Sequence, residues 1–324
     1  MKYWGALFAV LLLGISFVVH AQITNFSQYL SLLRQQALKD GIAPATVNAE
    51  FPQIKRFRRA EMADAPSGPR SLEQYLPASA TELRVLAAKK HYLAHKAAFD
   101  ALANQYQIPA RFVLALWGGA SDFGEHPARY PVLSVTASLA FAQQDVAVHR
   151  QNFMAALTLL DSGTHNVDQL RSDRNGLLGQ ARLSPVLYAQ CATDGNGDGQ
   201  ANIWDDPEDV FASIAHCLQV LGWEQSQTWG RQVRVPATLD SALVGEEHKA
   251  TFAQWQALGV TRFDGSALPK RQDMQVSLIM PDGTNGRHYL IYDNYRALKQ
   301  LLYDDYVVLA VVHLSEKLKA QQID

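Results

Sequence analysis

The chain has 324 residues, of which 48% are hydrophobic and 19% are charged, and its formal net charge at pH 7 is -2. This composition is typical of a globular protein with enough apolar residues for a large core, and it argues against a disordered or fibrous chain. The near-neutral charge gives no general electrostatic attraction to nucleic acid, so we expect no nucleic-acid partner. The length suits one large domain or two closely packed lobes.

The N-terminus has the pattern of a secretory signal peptide. Met1 and Lys2 begin a short positive region, residues 7–19 are almost wholly apolar, and a small-residue cleavage site ends at Ala21. The apolar run is shorter than the ~20 residues that a membrane-spanning helix needs, which argues against a membrane anchor. We therefore predict that residues 1–21 are removed. Residues 22–324 then form a soluble protein outside the cytoplasm, without an anchor in the membrane.

Apolar residues recur at helical spacing through most of the chain. On this basis helices are predicted within residues 22–60, 80–106, 111–118, 131–161, 207–221 and 307–318. The Pro- and Gly-containing segment 65–69 predicts a break after the first helical region. Near the C-terminus, residues 276–280 and 288–292 flank the turn-forming segment 281–283, which predicts a β-hairpin. The expected fold class is mainly α with a little β.

Residues 194–205 have the spacing of an EF-hand calcium loop, with oxygen-bearing side chains that alternate along the chain and a Gly at the sharp turn. The predicted metal ligands are the side chains of Asp194, Asn196, Asp198 and Asp205 and the backbone carbonyl of Gln200. Asp205 is shorter than the usual Glu at its position, so weak affinity is expected. Since every ligand is used to hold the loop, a bound Ca²⁺ would be structural. The alternative is a polar, Gly-rich turn that binds no metal.

The chain contains two cysteines, Cys191 and Cys217. Two cysteines in an exported protein favour a disulfide. The alternative is a pair of buried free thiols, because a bridge requires Cα atoms within ~7 Å of each other. The residues alone leave both possibilities open.

Several segments resemble the MltB-type lytic murein transglycosylase family. Residues 112–124 are similar to its first catalytic motif, and residues 176–185 stand where the family has Gly-Ala-Met-Gly-x-x-Gln-Phe-Met-Pro. The family also carries a calcium loop that ends in a similar Asn-x-Trp-Asp. Further similar segments are 210–215, 222–223, 229–230, 292–296 and 309–311. The resemblance covers about residues 25–318.

The resemblance implies a lysozyme-like α+β fold in a periplasmic protein. It places a groove for glycan strands in a lobe of about residues 80–230, which includes the EF-hand-like loop 194–205. The remaining part, 231–324, would hold a small hairpin at 274–292. Family members cleave the MurNAc–GlcNAc bond and leave a 1,6-anhydro end, with one Glu acting first as general acid and then as general base.

The position of the family Glu is occupied by Ala120 in this sequence. Protonation of a glycosidic oxygen needs a carboxylic acid with a raised pKa, and a methyl group cannot provide it. Loss of a general acid typically lowers the rate ~10²–10⁴-fold. The family Gln-Phe-Met is replaced by residues 182–184, and a C-terminal Tyr/Trp-Asn-x-Ser by residues 301–304. We therefore predict that no catalytic residue is intact.

Asp304 and Glu125 are the candidate substitutes for the missing acid, and Asp304 replaces a family groove residue. Asp122 is a poorer candidate, because two residues along a helix turn its side chain ~200° away from Ala120. The residues implied to contact the glycan are Gln180, Arg182, Tyr188 and Asp304. Both cysteines fall at positions where the family has aromatic residues, and their joint appearance favours the disulfide.

Three functions remain open at this point. The first is a periplasmic homologue that engages peptidoglycan glycan strands, or docks onto cell-wall enzymes, with little or no catalysis. The second is an active lytic transglycosylase with a relocated acid. The third is a non-enzymatic periplasmic protein that binds a protein partner and has lost glycan affinity.

Overall fold

The computed structural model describes residues 23–61, 71–144 and 146–324. The predicted signal peptide at 1–21 and the predicted break at 65–69 lie outside these residues. Within the described ranges, no helix combines the length and the apolar character needed to cross a membrane.

Helices dominate the described residues, as the sequence predicts. They are α1 (Phe26–Lys39), α2 (Pro44–Glu50), α3 (Arg58–Glu61), α4 (Leu72–Ser79), α5 (Glu82–Ala94), α6 (Lys96–Tyr106), α7 (Ala110–Ser121), α8 (Val132–Ala142), α9 (Ala147–Asp161), α10 (Pro185–Cys191), α11 (Pro207–Val220), α12 (Phe252–Ala257), α13 (Asp293–Leu302) and α14 (Asp305–Ala320). Each predicted helical region therefore contains helix, and the mainly α fold class is confirmed.

Helix α7 lies at the centre of the helical part because its sequence is apolar on all sides. Nearly all of its residues are buried, and it packs against α14, α11, α5 and α6. Phe112 packs edge-on against Trp223, and Trp117 packs edge-on against Phe211 of α11. The helix is thereby fixed along its length, and its C-terminal end holds Ala120.

The C-terminal part contains a five-stranded antiparallel sheet. Its strands are β3 (Gly230–Arg234), β4 (Lys249–Thr251), β5 (Thr261–Arg262), β6 (Gln275–Ile279) and β7 (His288–Ile291), in the order β4-β6-β7-β3-β5. The pairing of β6 with β7 confirms the predicted hairpin. The sheet covers a second apolar core around Trp255, separate from the helical core. A further small sheet joins β1 (Tyr130–Pro131) to β2 (Arg171–Ser172).

Candidate functional site

The C-terminal end of α7 carries Ala120, which is half-buried, beside the exposed Gly119. After Ser121 the chain reverses through Asp122, Phe123 and Gly124, whose φ angles are 53°, 57° and 91°. Such left-handed residues end helices, and the backbone N–H of Asp122 donates to the carbonyl oxygen of Gly118. Ala120 therefore lies in the last turn of a helix, next to a tight reversal.

Gly118 makes this reversal possible. A Cβ at this position would lie 2.5 Å from the ring of Phe123, which folds back onto the helix. The Phe123 ring stacks on His91 with 5.2 Å between centroids and meets Trp117 edge-on at 5.4 Å. Burial lowers the pKa of His91. The floor of the site is therefore a rigid aromatic cluster.

Arg182 is the charged group that contacts the Ala120 position. Its guanidinium donates to the carbonyl oxygens of Ala120 at 3.3 Å, Gly179 at 2.9 Å and His126 at 2.5 Å. Burial lowers its pKa, although an arginine of this kind stays charged at neutral pH. The structure thus places a half-buried cation at the carbonyl end of α7, where the helix dipole favours positive charge.

Gln180 lies next to this contact, with both ends of its amide bonded inside the protein. Its Oε1 accepts from the indole N–H of Trp117 at 2.9 Å, and its Nε2 donates to the carbonyl of Trp204 at 2.7 Å. Its side chain ties α7 to the end of the loop 194–205. In this structure Gln180 positions the elements around Ala120.

The two predicted substitute acids lie in exposed positions. Glu125 is exposed just after the reversal. Asp304 is exposed and caps α14, where its Oδ1 accepts from the backbone N–H of Val307 at 3.0 Å. Helix α14 contacts Gly119 through Val311. Asp304 precedes Val311 by about two helical turns, so it lies roughly 10 Å along the helix from this contact.

Asp122 is engaged elsewhere. Its carboxylate forms a salt bridge with Arg84 at 3.1 Å. The helical-angle argument does not apply to it, because α7 ends at Ser121 and Asp122 has left-handed backbone geometry. The conclusion that Asp122 is a poor substitute remains, but the ion pair is its physical reason.

Asp173 is a largely buried carboxylate that the sequence reasoning missed. Its Oδ1 accepts from the backbone N–H groups of Asn175 at 2.8 Å and Leu177 at 2.9 Å. Burial raises the pKa of Asp173, against the opposing effects of these N–H groups and of the Arg182 charge. In the sequence, an Asp shortly before Gly176 has the pattern of an ordinary turn, so no signal marked it.

The loop 194–205 connects α10 to α11. The Asp194 carboxylate accepts from the backbone N–H groups of Gly197 at 2.6 Å and Gly199 at 2.7 Å, and these bonds hold the pKa of Asp194 below its usual range. Asn196 and Asp198 belong to the same hydrogen-bonded turn. Gln200 and Asp205 are exposed. Among the described residues, no three His, Cys, Asp or Glu side chains converge as a metal site.

The two ends of this loop are held by a buried carboxylate and a disulfide. Asp209 is fully buried and accepts from the backbone N–H groups of Gly195 and Asn202, both at 2.7 Å. Cys191 and Cys217 form a disulfide between α10 and α11, with Cα atoms 5.0 Å apart. The loop therefore leaves and re-enters the fold at fixed points.

Tyr188 faces a different part of the molecule from Ala120. It is only 3% exposed, and its hydroxyl donates to the carbonyl of Ala201 at 2.8 Å. The same hydroxyl lies 2.7 Å from Nε2 of His165. Burial raises the pKa of Tyr188. Of the predicted glycan-contacting residues, the structure brings Arg182 into contact with Ala120 and Gln180 close to it, whereas Tyr188 belongs to a separate cluster.

Comparison with known proteins settles the family. Residues 25–316 match the transglycosylase SLT domain family. This chain belongs to the MltB-type lytic transglycosylase family. The membrane-bound lytic murein transglycosylase B of Escherichia coli strain K12 is 25% identical over 224 residues, which is 67% of this chain. The match spans 60% of that protein's length.

Solved structures of related proteins have the same fold as this MltB-type chain. SltB3 of Pseudomonas aeruginosa, crystallised with NAG-anhNAM-pentapeptide, is 30% identical with a TM-score of 0.79, and the match covers 92% of this chain and 80% of SltB3. The Escherichia coli lytic transglycosylase Slt35, crystallised with calcium, is 20% identical with a TM-score of 0.76, and covers 93% of this chain and 94% of that protein. The predicted lysozyme-like fold is confirmed.

Proposed function

We propose that this MltB-type protein binds peptidoglycan glycan strands in the periplasm and cleaves them slowly or not at all. The observation that carries this proposal is the contact between Arg182 and the carbonyl oxygen of Ala120. The group that should donate a proton is absent, and a cation lies beside the vacated position. A general acid contributes ~10²–10⁴-fold to the rate, so its removal is enough to silence a site that cleaves glycosidic bonds.

The cation adds a second obstacle to catalysis. A general acid needs a raised pKa, which burial and neighbouring negative charge provide. A guanidinium has the opposite effect, because it stabilises the ionised form of any nearby carboxylate. Glycan binding is supported by the related SltB3, which was crystallised with NAG-anhNAM-pentapeptide and with NAG-NAM-pentapeptide.

The deciding experiment incubates the purified protein with isolated sacculi and measures two quantities. Sedimentation with the sacculi reports binding, and chromatography of the supernatant reports release of 1,6-anhydro-muropeptides. We expect sedimentation without release, with an active family member as the positive control. Release at the rate of that control contradicts the proposal. Protein that stays in the supernatant supports instead a function in binding other cell-wall proteins.

A second candidate function is an active lytic transglycosylase with a relocated acid. It is favoured by Asp173, whose pKa is raised by burial and whose charge acts on Arg182 at the Ala120 carbonyl. A carboxyl with a raised pKa near the cleft is the group that this chemistry requires. If the wild-type protein releases anhydro-muropeptides, Asp173→Asn should abolish the release. Asp304→Asn and Glu125→Gln are the matched controls, and loss in either of them transfers the role to that residue.

We also infer that the loop 194–205 binds a structural Ca²⁺ through the side chains of Asp194, Asn196, Asp198 and Asp205 and the backbone carbonyl of Gln200. The side chains are hard oxygen ligands of the kind that Ca²⁺ prefers. Gly199 has φ 92° at the position where an EF-hand loop needs Gly. The related Slt35 was crystallised with calcium. The bound ion would hold the loop and take no part in the reaction.

A further inference from the structure

A large cavity lies beside the loop 194–205. It encloses about 960 Å³ and is bounded by the end of α9, the segment 164–171, α10 and residues 199–205. None of the residues that surround Ala120 lines it: Gly119, Arg182 and Gln180 are all absent from its wall. Its volume is in the range of ~300–1,000 Å³ that is typical of small-ligand sites.

Three aromatic side chains form one wall of the cavity: His165, Tyr188 and Trp204. Their ring centroids lie 5.4 to 5.9 Å apart. The polar atoms of all three rings form hydrogen bonds within the protein. The indole N–H of Trp204 donates to the carbonyl of Arg171 at 2.8 Å. The Tyr188 hydroxyl bonds His165, as described above, and Thr164 Oγ1 lies 2.9 Å from Nδ1 of His165. The rings are therefore fixed in place before any ligand binds.

The charges of the wall disfavour an anion. Arg171 is paired with Asp168 at 2.8 Å, so its positive charge is already balanced. Burial lowers the pKa of His165, which disfavours the charged form of its imidazole. The wall has no unpaired cation that would attract a carboxylate or a phosphate.

Two amide side chains add open hydrogen-bonding groups. The side-chain nitrogen of Gln169 and the whole side-chain amide of Gln200 make no hydrogen bond to another residue in the described part of the chain, and both residues line the cavity. A rigid aromatic wall with free amides and no free cation matches a neutral ring that carries hydroxyl and acetamido groups.

We propose that this cavity is a second saccharide site, which binds a short uncharged segment of N-acetylated amino sugar. The site is separate from the groove at Ala120 and does not depend on glycan binding there. It lies against the proposed calcium loop, which supplies residues 199–205 of its wall.

The test is a titration of the full mature chain with N,N′,N″-triacetylchitotriose, followed by tryptophan fluorescence and by calorimetry. We expect saturable binding in the millimolar range or tighter. Trp204→Ala should weaken it by about tenfold or more, because an aromatic contact and its buried area are lost. The double variant Gln169→Ala and Gln200→Ala keeps the aromatic wall and should also weaken chitotriose binding. It tests the cavity even if Trp204→Ala does not fold.

The matched control combines Gln35→Ala with Gln219→Ala, two exposed glutamines outside the cavity. It should bind as the wild type does. The proposal is overturned by an absence of saturable binding, or by equal affinity in the cavity variants and the control. Sacculus binding is measured in a separate experiment, so the proposed glycan-strand binding and the proposed second saccharide site can each be contradicted independently.

Discussion

Arg182 determines what the site at Ala120 can do. The residue has φ 51°, and its guanidinium is held by three backbone carbonyls, so its position depends on the main chain and not on a carboxylate partner. A carboxyl introduced at residue 120 would face this fixed cation. The charge would favour the carboxylate form, which cannot donate a proton.

The first prediction concerns restoration of catalysis. Ala120→Glu alone should give little or no release of anhydro-muropeptides, because Arg182 keeps the new side chain ionised. Ala120→Glu combined with Arg182→Gln should release them at least about tenfold faster, since a tenfold rate change corresponds to ~1.4 kcal/mol in the barrier. Release is measured by chromatography of sacculus digests, with Arg182→Gln alone as the control.

Two outcomes would contradict this interpretation of Arg182. The first is full activity of Ala120→Glu in the wild-type background, which would show that the cation is harmless. The second is equal inactivity of both variants together with unchanged sacculus binding, which would place the obstacle elsewhere in the groove.

Asp173 supports a prediction about pH. Burial raises its pKa above the ordinary value of 3.8, so the folded state holds this proton more tightly than the unfolded state does. The ionised carboxylate therefore lowers stability at neutral pH, and the penalty disappears as pH falls through the folded-state pKa toward 3.8.

Asp173→Asn should consequently be more stable than the wild type at pH 7, and the difference should shrink as pH is lowered toward 4. The measurement is the free energy of unfolding in urea for both proteins across this range. Asp168→Asn, an exposed aspartate, is the control and should show no such trend. A difference that grows on acidification would mean that the folded-state pKa of Asp173 is lowered.

At the residue level, the sequence indicated which residues belong to the site better than it indicated which partners their side chains contact. The family resemblance assigned both Ala120 and Arg182 to the groove, and in the structure the Arg182 guanidinium lies 3.3 Å from the Ala120 carbonyl oxygen. It could not predict that Gln180 would be bonded at both ends or that Tyr188 would line a separate cavity. Those outcomes depend on neighbours such as Trp204 and His165 that are distant in the sequence or belong to other motifs.

At the level of elements, α10, the loop 194–205 and the start of α11 form one connected unit. Asp209 bonds the first and last parts of the loop, and the Cys191–Cys217 disulfide joins the two flanking helices. The disulfide closes a segment with a sequence separation of 26 that contains the whole loop. It therefore limits how far the loop can open in the unfolded chain.

Replacement of both cysteines by alanine should lower the free energy of unfolding by about 3 kcal/mol, from the loop-closure entropy of a cross-link of this length. The decrease should be measured by urea unfolding. The wild-type protein with dithiothreitol should show a similar decrease, whereas the alanine variant should not respond to dithiothreitol. A wild-type protein that is equally stable with and without reductant would contradict the stabilising role of this bridge.

Element prediction succeeded for the longest helices and failed for the shortest strands, and it also missed helix α13. Helices such as α9 and α14 repeat their apolar spacing over several turns, which the sequence displays directly. Strands β4 and β5 have only 3 and 2 residues, too few for an alternating pattern. Their place in the sheet depends on pairing with β6 and β3, so only the hairpin was predicted.

At the level of the whole molecule, the helical core and the core beneath the sheet are separate apolar clusters. The loop 194–205 is packed onto the helical part through Trp204, whose carbonyl accepts from Gln180 and whose indole donates to Arg171. A cation bound in the loop should thus stabilise the folded state of that part, because it binds the unfolded chain weakly.

The last prediction is that Ca²⁺ raises the melting temperature. At a hundredfold excess over its Kd, a ligand specific for the folded state adds about 2.7 kcal/mol, and for a protein of this size that corresponds to roughly 4 °C. Mg²⁺ should give a smaller rise, since it needs a stricter octahedral geometry. Asp198→Asn should reduce the effect of Ca²⁺ on the melting temperature. Asp100→Asn, which changes an exposed aspartate paired with Lys96 on α6, should not.

An equal rise in melting temperature in both variants would place the ion outside this loop. No rise in the wild type would mean that the loop is held by Asp194, Asp209 and its own backbone hydrogen bonds alone.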